Sequence, residues 1–293
     1  MQTRVRVLGA TGMLGSMAAR YFVDRGAELV PSTRDTGRPN DLRPELFRGI
    51  RSVDITINAI GAIPQRVTNP ATVHFVNTIL PAYARLHSDG LFVHASSDCV
   101  FGGTGTVRAR DVEERPDATD DYGRSKAAAE ALLLTQVGRP CDIIRCSIVG
   151  PGGSGAGLMG WFLRQRGRVI GYTDRFWNGI TTLAWCQLAE ALAEEGSVDP
   201  TTHGTRLVQA GTLGRVSKYD LLCAMRDAFG LDIDIVPAES GVRVSRVLDV
   251  RERSGHSQKM STRSLAPISE QLREMRDFMD RTESGWLDRE RMR

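Results

Sequence analysis

Tyr122 and Lys126 stand four residues apart in the stretch YGRSK, a spacing that puts both side chains on one face of a helix. The chain has five tyrosines and three lysines, so chance alone gives such a pair only about 0.05 times. A lysine cation beside a phenol favours the phenolate, which prepares the phenol to exchange a proton. Ser97 adds a hydroxyl that can hydrogen-bond a substrate carbonyl. The alternative without a catalytic role is a surface Tyr–Lys pair on an amphipathic helix.

Three glycines near the amino terminus are spaced G-x-x-G-x-x-G. They follow an apolar run that predicts a strand, residues 4–8, and they precede an Ala-rich helical segment, residues 16–22. In such a turn the first glycine bends the chain, the second lets a pyrophosphate approach, and the third lets the helix pack on the strand. With 30 glycines, the spacing alone occurs about 0.3 times by chance, so the strand–turn–helix context carries the prediction of a dinucleotide site. The residues predicted to contact the cofactor here are Gly9, Thr11, Gly12, Met13, Leu14 and Gly15.

The end of the predicted second strand, residues 27–31, bears on the choice between NAD and NADP. Ser32, Thr33 and Arg34 follow it, and hydroxyls with an arginine suit a 2′-phosphate. Asp35 comes next and would suit a ribose 2′-hydroxyl instead. We therefore predict NADP(H) as the preferred cofactor, with NAD(H) as the alternative. The other residues predicted to contact it are Asp41, Leu42, Asn58, Ala59, Ile60, Tyr122 and Lys126.

Strand and helix patterns alternate up to about residue 150, which predicts a parallel sheet with helices on both faces. The predicted fold class is therefore α/β, a Rossmann-type doubly wound parallel sheet with a smaller C-terminal substrate lobe. Residues 1–150 would form the NAD(P)-binding domain. The last helix is predicted over residues 269–281, with Ser269 as its N-cap.

The composition shifts after residue 150, because residues 150–160 hold six glycines and one proline. Aromatic rings next to such a loop suit stacking on a base or a sugar, although packing of a small lobe explains them equally well. Residues 151–293 are predicted as a mixed segment. Residues of about 151–180 and 238–268 would form the substrate lobe, and the segment would also add helices or strands to the main domain. The substrate contacts predicted there are Trp161, Trp177 and Asn178.

The bulk composition excludes several classes of function. The net charge is +3 with acids and bases interspersed, so no nucleic-acid surface is predicted. No run of about 18 apolar residues occurs, so no membrane span is predicted. The five cysteines are scattered without metal-ligand spacing, which predicts no metal site and suits a reducing compartment. A strand pattern from residue 3 onward leaves no room for a signal peptide, so we expect a cytoplasmic protein.

Taken in order, the glycine pattern, Asn58-Ala59, Ser97 and Tyr122…Lys126 resemble the extended short-chain dehydrogenase/reductases. The stretch SSDCVFGG, residues 96–103, resembles the S-T-D-Y-V-F-x-G stretch of the dTDP-4-dehydrorhamnose reductase branch. The tyrosine and lysine motif is similar to that branch's Y-G-x-[ST]-K. The resemblance covers residues 3–151 well and is diffuse beyond them.

The resemblance implies that NAD(P)H would deliver hydride to the ketone carbon of a nucleotide-linked 4-keto-6-deoxysugar. Tyr122 would donate the proton, Lys126 would lower the pKa of Tyr122 and hold the nicotinamide ribose, and Ser97 would polarise the ketone. Ser97 and Asp98 would contact the substrate. The resemblance also implies a homodimer through helices of about residues 75–87 and 122–135.

Cys99 departs from the reductase branch, which has Tyr at this position. The 4,6-dehydratases have Glu there, whereas GDP-fucose synthase and GDP-mannose 3,5-epimerase use a cysteine there as an acid or base. Cys99 is thus either a small apolar filler or an acid/base, and Asp98 beside it would raise the pKa of the thiol. The alternatives to a reductase are an epimerase or epimerase–reductase that uses Cys99, and a non-catalytic NADP-binding regulatory protein.

Overall fold

The computed structural model describes residues 2–30, 53–88, 90–103, 108–136, 140–152, 157–196, 204–251 and 260–292. Five of the residues predicted to contact the cofactor lie outside these ranges, namely Ser32, Thr33, Arg34, Asp41 and Leu42.

The strands of the described residues form one large parallel sheet and three small sheets. They are β1 (Arg4–Leu8), β2 (Glu28–Leu29), β3 (Ile55–Asn58), β4 (Leu91–Ala95), β5 (Cys141–Arg145), β6 (Ile148–Val149), β7 (Gly167–Tyr172), β8 (Arg175–Trp177), β9 (Ile180–Thr181), β10 (Thr205–Thr212), β11 (Val216–Ser217), β12 (Ile233–Ala238), β13 (Val244–Arg246) and β14 (Met260–Leu265). The large sheet has the order β14-β10-β5-β4-β3-β1-β2, and every neighbouring pair in it is parallel.

The chain passes from β1 outward to β2 and then returns to place β3 on the other side of β1. This reversal makes the carboxyl ends of β1 and β3 the switch point of the sheet, the place where open α/β sheets bind ligands. The glycine turn follows β1, and Asn58 ends β3. The predicted doubly wound fold is confirmed.

Helices cover both faces of the large sheet. They are α1 (Met13–Asp24), α2 (Pro70–His74), α3 (Leu80–Leu86), α4 (Asp121–Thr135), α5 (Leu158–Leu163), α6 (Thr182–Glu194), α7 (Lys218–Phe229), α8 (Ile268–Thr282) and α9 (Trp286–Met292), with a π-helical turn at Phe75–Ile79 between α2 and α3 and a 3₁₀ turn at Asp98–Val100. Neighbouring residues of a strand point to opposite faces. Accordingly Val93 packs in the core on the α1 and α6 side, whereas Phe92 packs in the core on the α3 and α4 side.

The small sheets come mainly from the part of the chain after residue 150. They have the orders β11-β8-β13, β12-β7 and β6-β9. The strand β14, in contrast, belongs to the large sheet, although it comes from the end of the second predicted lobe segment. In the part of the chain that the structure describes, each helix is too short or too polar to cross a bilayer.

The helix predicted over residues 269–281 is α8, and two parts of that prediction are wrong: α9 follows it, so it is not the last helix, and Ser269 is not its N-cap. The helix starts at Ile268 with Pro267 as its N-cap, and no side chain caps it. The carbonyl of Pro267 instead accepts hydrogen bonds from the backbone N–H groups of Glu270 and Gln271. The helix starts one residue earlier than predicted, and this first residue, Ile268, is buried in the core.

Candidate active site

The glycine turn links β1 to α1 with close backbone contacts. Gly9 has a φ of +80°, which favours glycine. A Cβ on Gly15 would lie 2.1 Å from the carbonyl oxygen of Gly9, so no side chain fits between the turn and the helix. Gly12 is the N-cap of α1, and no side chain caps the helix there. The first N–H groups of α1 are therefore available to an anion such as a phosphate.

The other predicted cofactor contacts in this turn differ in what their side chains do. Leu14 is buried in the core next to the sheet, so only its backbone can face a ligand. Thr11 lines a cavity of about 180 Å³ together with Arg20, Pro151 and Trp286. The carboxyl-terminal helices thus lie against the glycine turn.

Asn58 is buried at the end of β3, and its side chain hydrogen-bonds with other residues of the protein. Its Nδ2 lies 3.0 Å from Nδ1 of His94, and its Oδ1 accepts a hydrogen bond of 3.2 Å from the backbone N–H of Ile60. Burial lowers the pKa of His94 well below its usual value, so the ring is neutral and its Nδ1 accepts from Asn58. Asn58 therefore fixes the Ala59–Gly61 loop, and the backbone of that loop is what can meet a cofactor.

Lys126 projects from α4 toward the same loop. It is buried, and its Nζ donates a 2.8 Å hydrogen bond to the carbonyl of Ala95 at the end of β4. A Cβ on Gly61 would lie 4.0 Å from this Nζ. Burial lowers the pKa of Lys126 to about 8, while the charge of Glu130 acts to raise it.

Tyr122 lies in the first turn of α4, whose start is fixed by the Asp120 side chain accepting from the backbone N–H of Gly123. Its hydroxyl interacts with the hydroxyl of Ser97. Burial and then the charge of Cys99 raise the pKa of Tyr122, against the lowering effect of Ser97. The expectation of a lowered pKa is therefore wrong for this structure, because burial outweighs the favourable contacts. The phenol is neutral at physiological pH, as a proton donor needs to be.

Ser97 joins Tyr122 to the short 3₁₀ turn that follows β4. Its Oγ accepts a 3.1 Å hydrogen bond from the backbone N–H of Cys99 and donates one of 3.1 Å to Oδ1 of Asp98. Burial, followed by the charge of Asp98, raises the pKa of the Cys99 thiol to about 12. The predicted effect of Asp98 is confirmed, and the thiol is protonated at neutral pH.

A cavity of about 490 Å³ opens beside Asp98 and Cys99. Three of the predicted substrate residues line it, namely Asp98, Trp161 and Trp177. Asn178 lies elsewhere: it is buried, its Nδ2 donates to the carbonyl of Leu248 at 2.8 Å, and its Oδ1 accepts from the backbone N–H of Leu248 at 2.9 Å. Asn178 therefore ties two chain segments together instead of facing a ligand.

Three cations that the sequence analysis missed also line this cavity, namely Arg175, Lys218 and Arg246. Nζ of Lys218 lies 5.2 Å from the centre of the Trp177 ring. Arg175 donates to Oγ of Ser240 at 2.7 Å, and Arg246 donates to the carbonyl of Phe101 at 3.3 Å. Within the described ranges, no carboxylate forms an ion pair with any of the three. The scarcity of lysine, with three in the chain, was the one sequence signal that pointed to Lys218.

Comparison with known proteins finds relatives in sequence and in structure. The chain is 25% identical to the dTDP-4-dehydrorhamnose reductase of Mycolicibacterium smegmatis over 241 residues, which cover 79% of this chain and 71% of that protein. The solved dTDP-4-dehydrorhamnose reductase from Clostridium acetobutylicum has a TM-score of 0.72 at 17% identity, covering 95% of this chain and 100% of that one. The enzyme of the same name from Bacillus anthracis str. Ames, solved in complex with NADP, has a TM-score of 0.71 at 16% identity, covering 94% and 99%.

At these identities the two solved structures show a shared fold. The family model of the NAD dependent epimerase/dehydratase family matches residues 5–168, more than half of the chain. That range contains the glycine turn, Ser97, Tyr122 and Lys126. The chain belongs to the NAD dependent epimerase/dehydratase family.

Proposed function

We propose that this protein reduces the keto group of a nucleotide-linked 4-keto-6-deoxysugar with NADPH. The observation that carries this proposal is the cavity beside Asp98 and Cys99, which combines three cations with tryptophan rings. Cations that form no ion pair with a carboxylate of the described residues suit a diphosphate, and aromatic rings suit a base or a sugar. The sequence relative that is a dTDP-4-dehydrorhamnose reductase supports the same substrate class.

The residues at the switch point fit a nicotinamide dinucleotide. The start of α1 has no side-chain cap, and the close contact at Gly15 brings that start against the glycine turn, so a pyrophosphate can bind the exposed N–H groups. The loop after Asn58 lies beside Lys126, where a nicotinamide ribose would bind. A bound NADPH supplies the hydride. NADP is our choice over NAD because of the Ser32-Thr33-Arg34 sequence and the related structure that contains NADP.

The protein's own residues then move the proton and hold the charges. In the complex the single hydroxyl proton of Ser97 turns from Oδ1 of Asp98 to the ketone oxygen and polarises the ketone. As hydride reaches the carbon, the O–H bond of Tyr122 breaks and its proton passes to the developing alkoxide. The ammonium of Lys126, four residues along the same helix, stabilises the phenolate that is left. The neutral state of Tyr122 suits it to the donor role.

The pH profile of kcat/KM tests the role of Lys126. Its pKa is lowered to about 8, so the ammonium is present below that pH and is lost above it. We expect kcat/KM for reduction to fall about tenfold per pH unit above this point, as for any reaction that needs one protonated group. In Lys126→Arg the guanidinium stays charged, so the fall near pH 8 should disappear even if the overall rate is lower. A wild-type profile that stays flat to about pH 10 would contradict this role.

Cys99 leaves an epimerase or epimerase–reductase as the alternative, because the thiol lines the same cavity. Its raised pKa opposes a role as base in the ligand-free protein. A non-catalytic NADP-binding regulator is the second alternative, and it would have no use for the combination of Ser97, Tyr122 and Lys126.

One experiment separates these functions. Purified protein is mixed with NADPH and dTDP-4-keto-6-deoxyglucose in D₂O, and NADPH absorbance and sugar deuteration by NMR are followed together. The reductase predicts loss of NADPH without solvent deuterium on carbon. Deuterium at C3 or C5 that exceeds the no-enzyme control and disappears in Cys99→Ser indicates the epimerase. Absence of both, with NADH and with UDP- and GDP-linked keto sugars as well, would reject the proposal.

We also propose a homodimer through the surface formed by the helical stretch 70–86 and α4. Four large apolar side chains are exposed there, namely Phe75, Ile79, Leu86 and Leu132. A twofold axis would pair this surface with its own copy. Analytical ultracentrifugation should give twice the chain mass for the wild type and the monomer mass for Ile79→Arg. A monomeric wild type at micromolar concentration would contradict the dimer.

A further inference from the structure

Two exposed arginines, Arg215 and Arg243, lie next to the wall of the cavity that the proposed function assigns to the substrate. Their guanidinium groups pack against the ring of Phe176, with the Cζ atoms of Arg215 and Arg243 at 4.1 Å and 5.1 Å from the ring centre. Phe176 is one of the described residues that line the cavity, whereas the two arginines are not. One aromatic ring therefore holds two positive charges beside the cavity without placing them in it.

The charges of these two arginines are not compensated at contact distance. Within the described ranges, neither forms an ion pair with a carboxylate, whereas the exposed Arg168 pairs with Asp234 at 2.8 Å. The carboxylates of Asp174 and Asp220, which come from the neighbouring turns, accept hydrogen bonds from serine hydroxyls at 2.8 Å and 2.7 Å. An arginine that packs on an aromatic face keeps its full charge and keeps its N–H edges free.

Strand pairing places these charges on the same small sheet as the cations inside the cavity. Phe176 is the middle residue of β8, Arg215 immediately precedes β11, and Arg243 immediately precedes β13. The sheet β11-β8-β13 brings the three segments together. The three cations of the cavity lie on these strands or directly after one of them. The positive charge of the cavity is thus continued onto the exposed part of the sheet.

Exposed charges outside a binding site act on the approach of a ligand more than on the bound complex. Charges around a cleft raise the association rate of a ligand of opposite sign, and salt screens this effect. Removal of a charge at the edge of a site changes the association rate and its salt dependence, whereas removal of a buried contact changes the dissociation rate. A nucleotide sugar carries its negative charge on a dianionic diphosphate.

We propose that Arg215 and Arg243 attract the diphosphate of the nucleotide sugar toward the cavity and raise its association rate without contacting the bound substrate. The inference rests on the proposed function for the kind of ligand that enters the cavity. Phe176 would serve as the holder of the two guanidinium groups, which keeps both charges beside the route of the ligand.

The test measures association and dissociation rates in the full-length protein by stopped-flow fluorescence. The ligand is dTDP-glucose, which has the diphosphate but no keto group, and the signal comes from Trp161 and Trp177 in the cavity. Coulomb's law for a unit charge about 10 Å from a dianion in water predicts that Arg215→Gln and Arg243→Gln each lower the association rate about threefold at about 10 mM ionic strength. The double variant should lose about five- to tenfold, and the difference from wild type should fall below about 1.5-fold at about 0.5 M. Dissociation rates should stay unchanged.

Two further variants separate charge from structure. Arg215→Lys keeps the charge and should associate at the wild-type rate. Arg25→Gln is the matched control, because it removes the same charge beside Thr3, Asp54 and Leu91, at the starts of the strands and so at the opposite edge of the large sheet. Its association rate should equal that of the wild type at both ionic strengths.

Three results would overturn the inference. They are unchanged association rates in the double variant at low salt, a loss that persists at about 0.5 M, and a change confined to the dissociation rate. Absence of binding of dTDP-glucose, UDP-glucose and GDP-mannose alike would overturn it as well. Failure of the proposed function is distinguishable, because a protein that shows the salt-dependent association but reduces no keto sugar keeps this inference and loses that reaction.

Discussion

Replacement of Tyr122 by Phe is expected to lower kcat for ketone reduction by about 10²–10⁴-fold, the usual contribution of a positioned general acid. The substitution removes one oxygen from a partly buried ring, so the fold should be kept. NADPH binding should also be kept, because the glycine turn and Lys126 are untouched. The rate is followed by NADPH absorbance, and cofactor affinity by fluorescence titration.

Tyr83→Phe is the matched control, since it makes the same change on α3 in a ring that stacks on His87 at 4.1 Å. Its kcat should equal that of the wild type. A Tyr122→Phe enzyme that keeps more than a tenth of the wild-type kcat would exclude Tyr122 as the proton donor. Complementation in cells addresses the regulatory alternative, because a binding protein would work equally well after the Tyr122→Phe substitution.

The part of the site that could be predicted from the sequence is local or follows from the rules of parallel sheets. The glycine turn needs only its own spacing. Ser97 follows the strand β4, and the carboxyl ends of parallel strands meet at one edge of the sheet, which puts Ser97 at the same edge as the turn. Tyr122 and Lys126 share a helix face because of their spacing.

The cations of the cavity could not be predicted, because they depend on long-range pairing of very short strands. Arg175 and Arg246 come from β8 and β13, three residues each, and Lys218 directly follows the two-residue β11. These three strands form one sheet although they come from distant parts of the chain. No local pattern specifies such a sheet, and its register brings the three cations to one cavity.

The pKa values could not be predicted from the sequence either, because they depend on burial. The sequence places a cation four residues from Tyr122, which favours a lowered pKa. In the structure, desolvation dominates for both groups: it raises the pKa of Tyr122 and lowers that of Lys126. The spacing puts the two residues on one helix face, whereas their protonation could be judged only with the packing known.

The second large effect is expected from Glu130→Ala, which breaks a buried ion pair behind the site. Nη2 of Arg145 lies 2.7 Å from Oε2 of Glu130, and both side chains are at most 3% exposed. Oγ of Ser96 donates to the other carboxylate oxygen at 2.6 Å. Removal of one partner leaves a buried charge uncompensated and costs about 3–5 kcal/mol. Urea denaturation of the two proteins should show a loss of this size in the free energy of unfolding.

Asp234→Ala serves as the control, because it removes a carboxylate from an exposed pair with Arg168 and should cost at most about 1 kcal/mol. Glu130→Gln keeps the size and one acceptor oxygen, so its loss should lie between the two. A loss in Glu130→Ala no larger than in Asp234→Ala would show that the buried pair adds nothing to stability.

Glu130 also affects the proposed reaction through Lys126, which lies one turn earlier on α4. Its charge acts to raise the pKa of Lys126, which burial has lowered to about 8. Without that charge the pKa falls further, so the ammonium is lost at a lower pH. The alkaline fall of kcat/KM should therefore move to lower pH in both Glu130→Gln and Glu130→Ala, and stay in place in Asp234→Ala. Because stability and the pH of this fall are independent measurements, a variant that loses stability without the shift would leave Glu130 a purely structural residue.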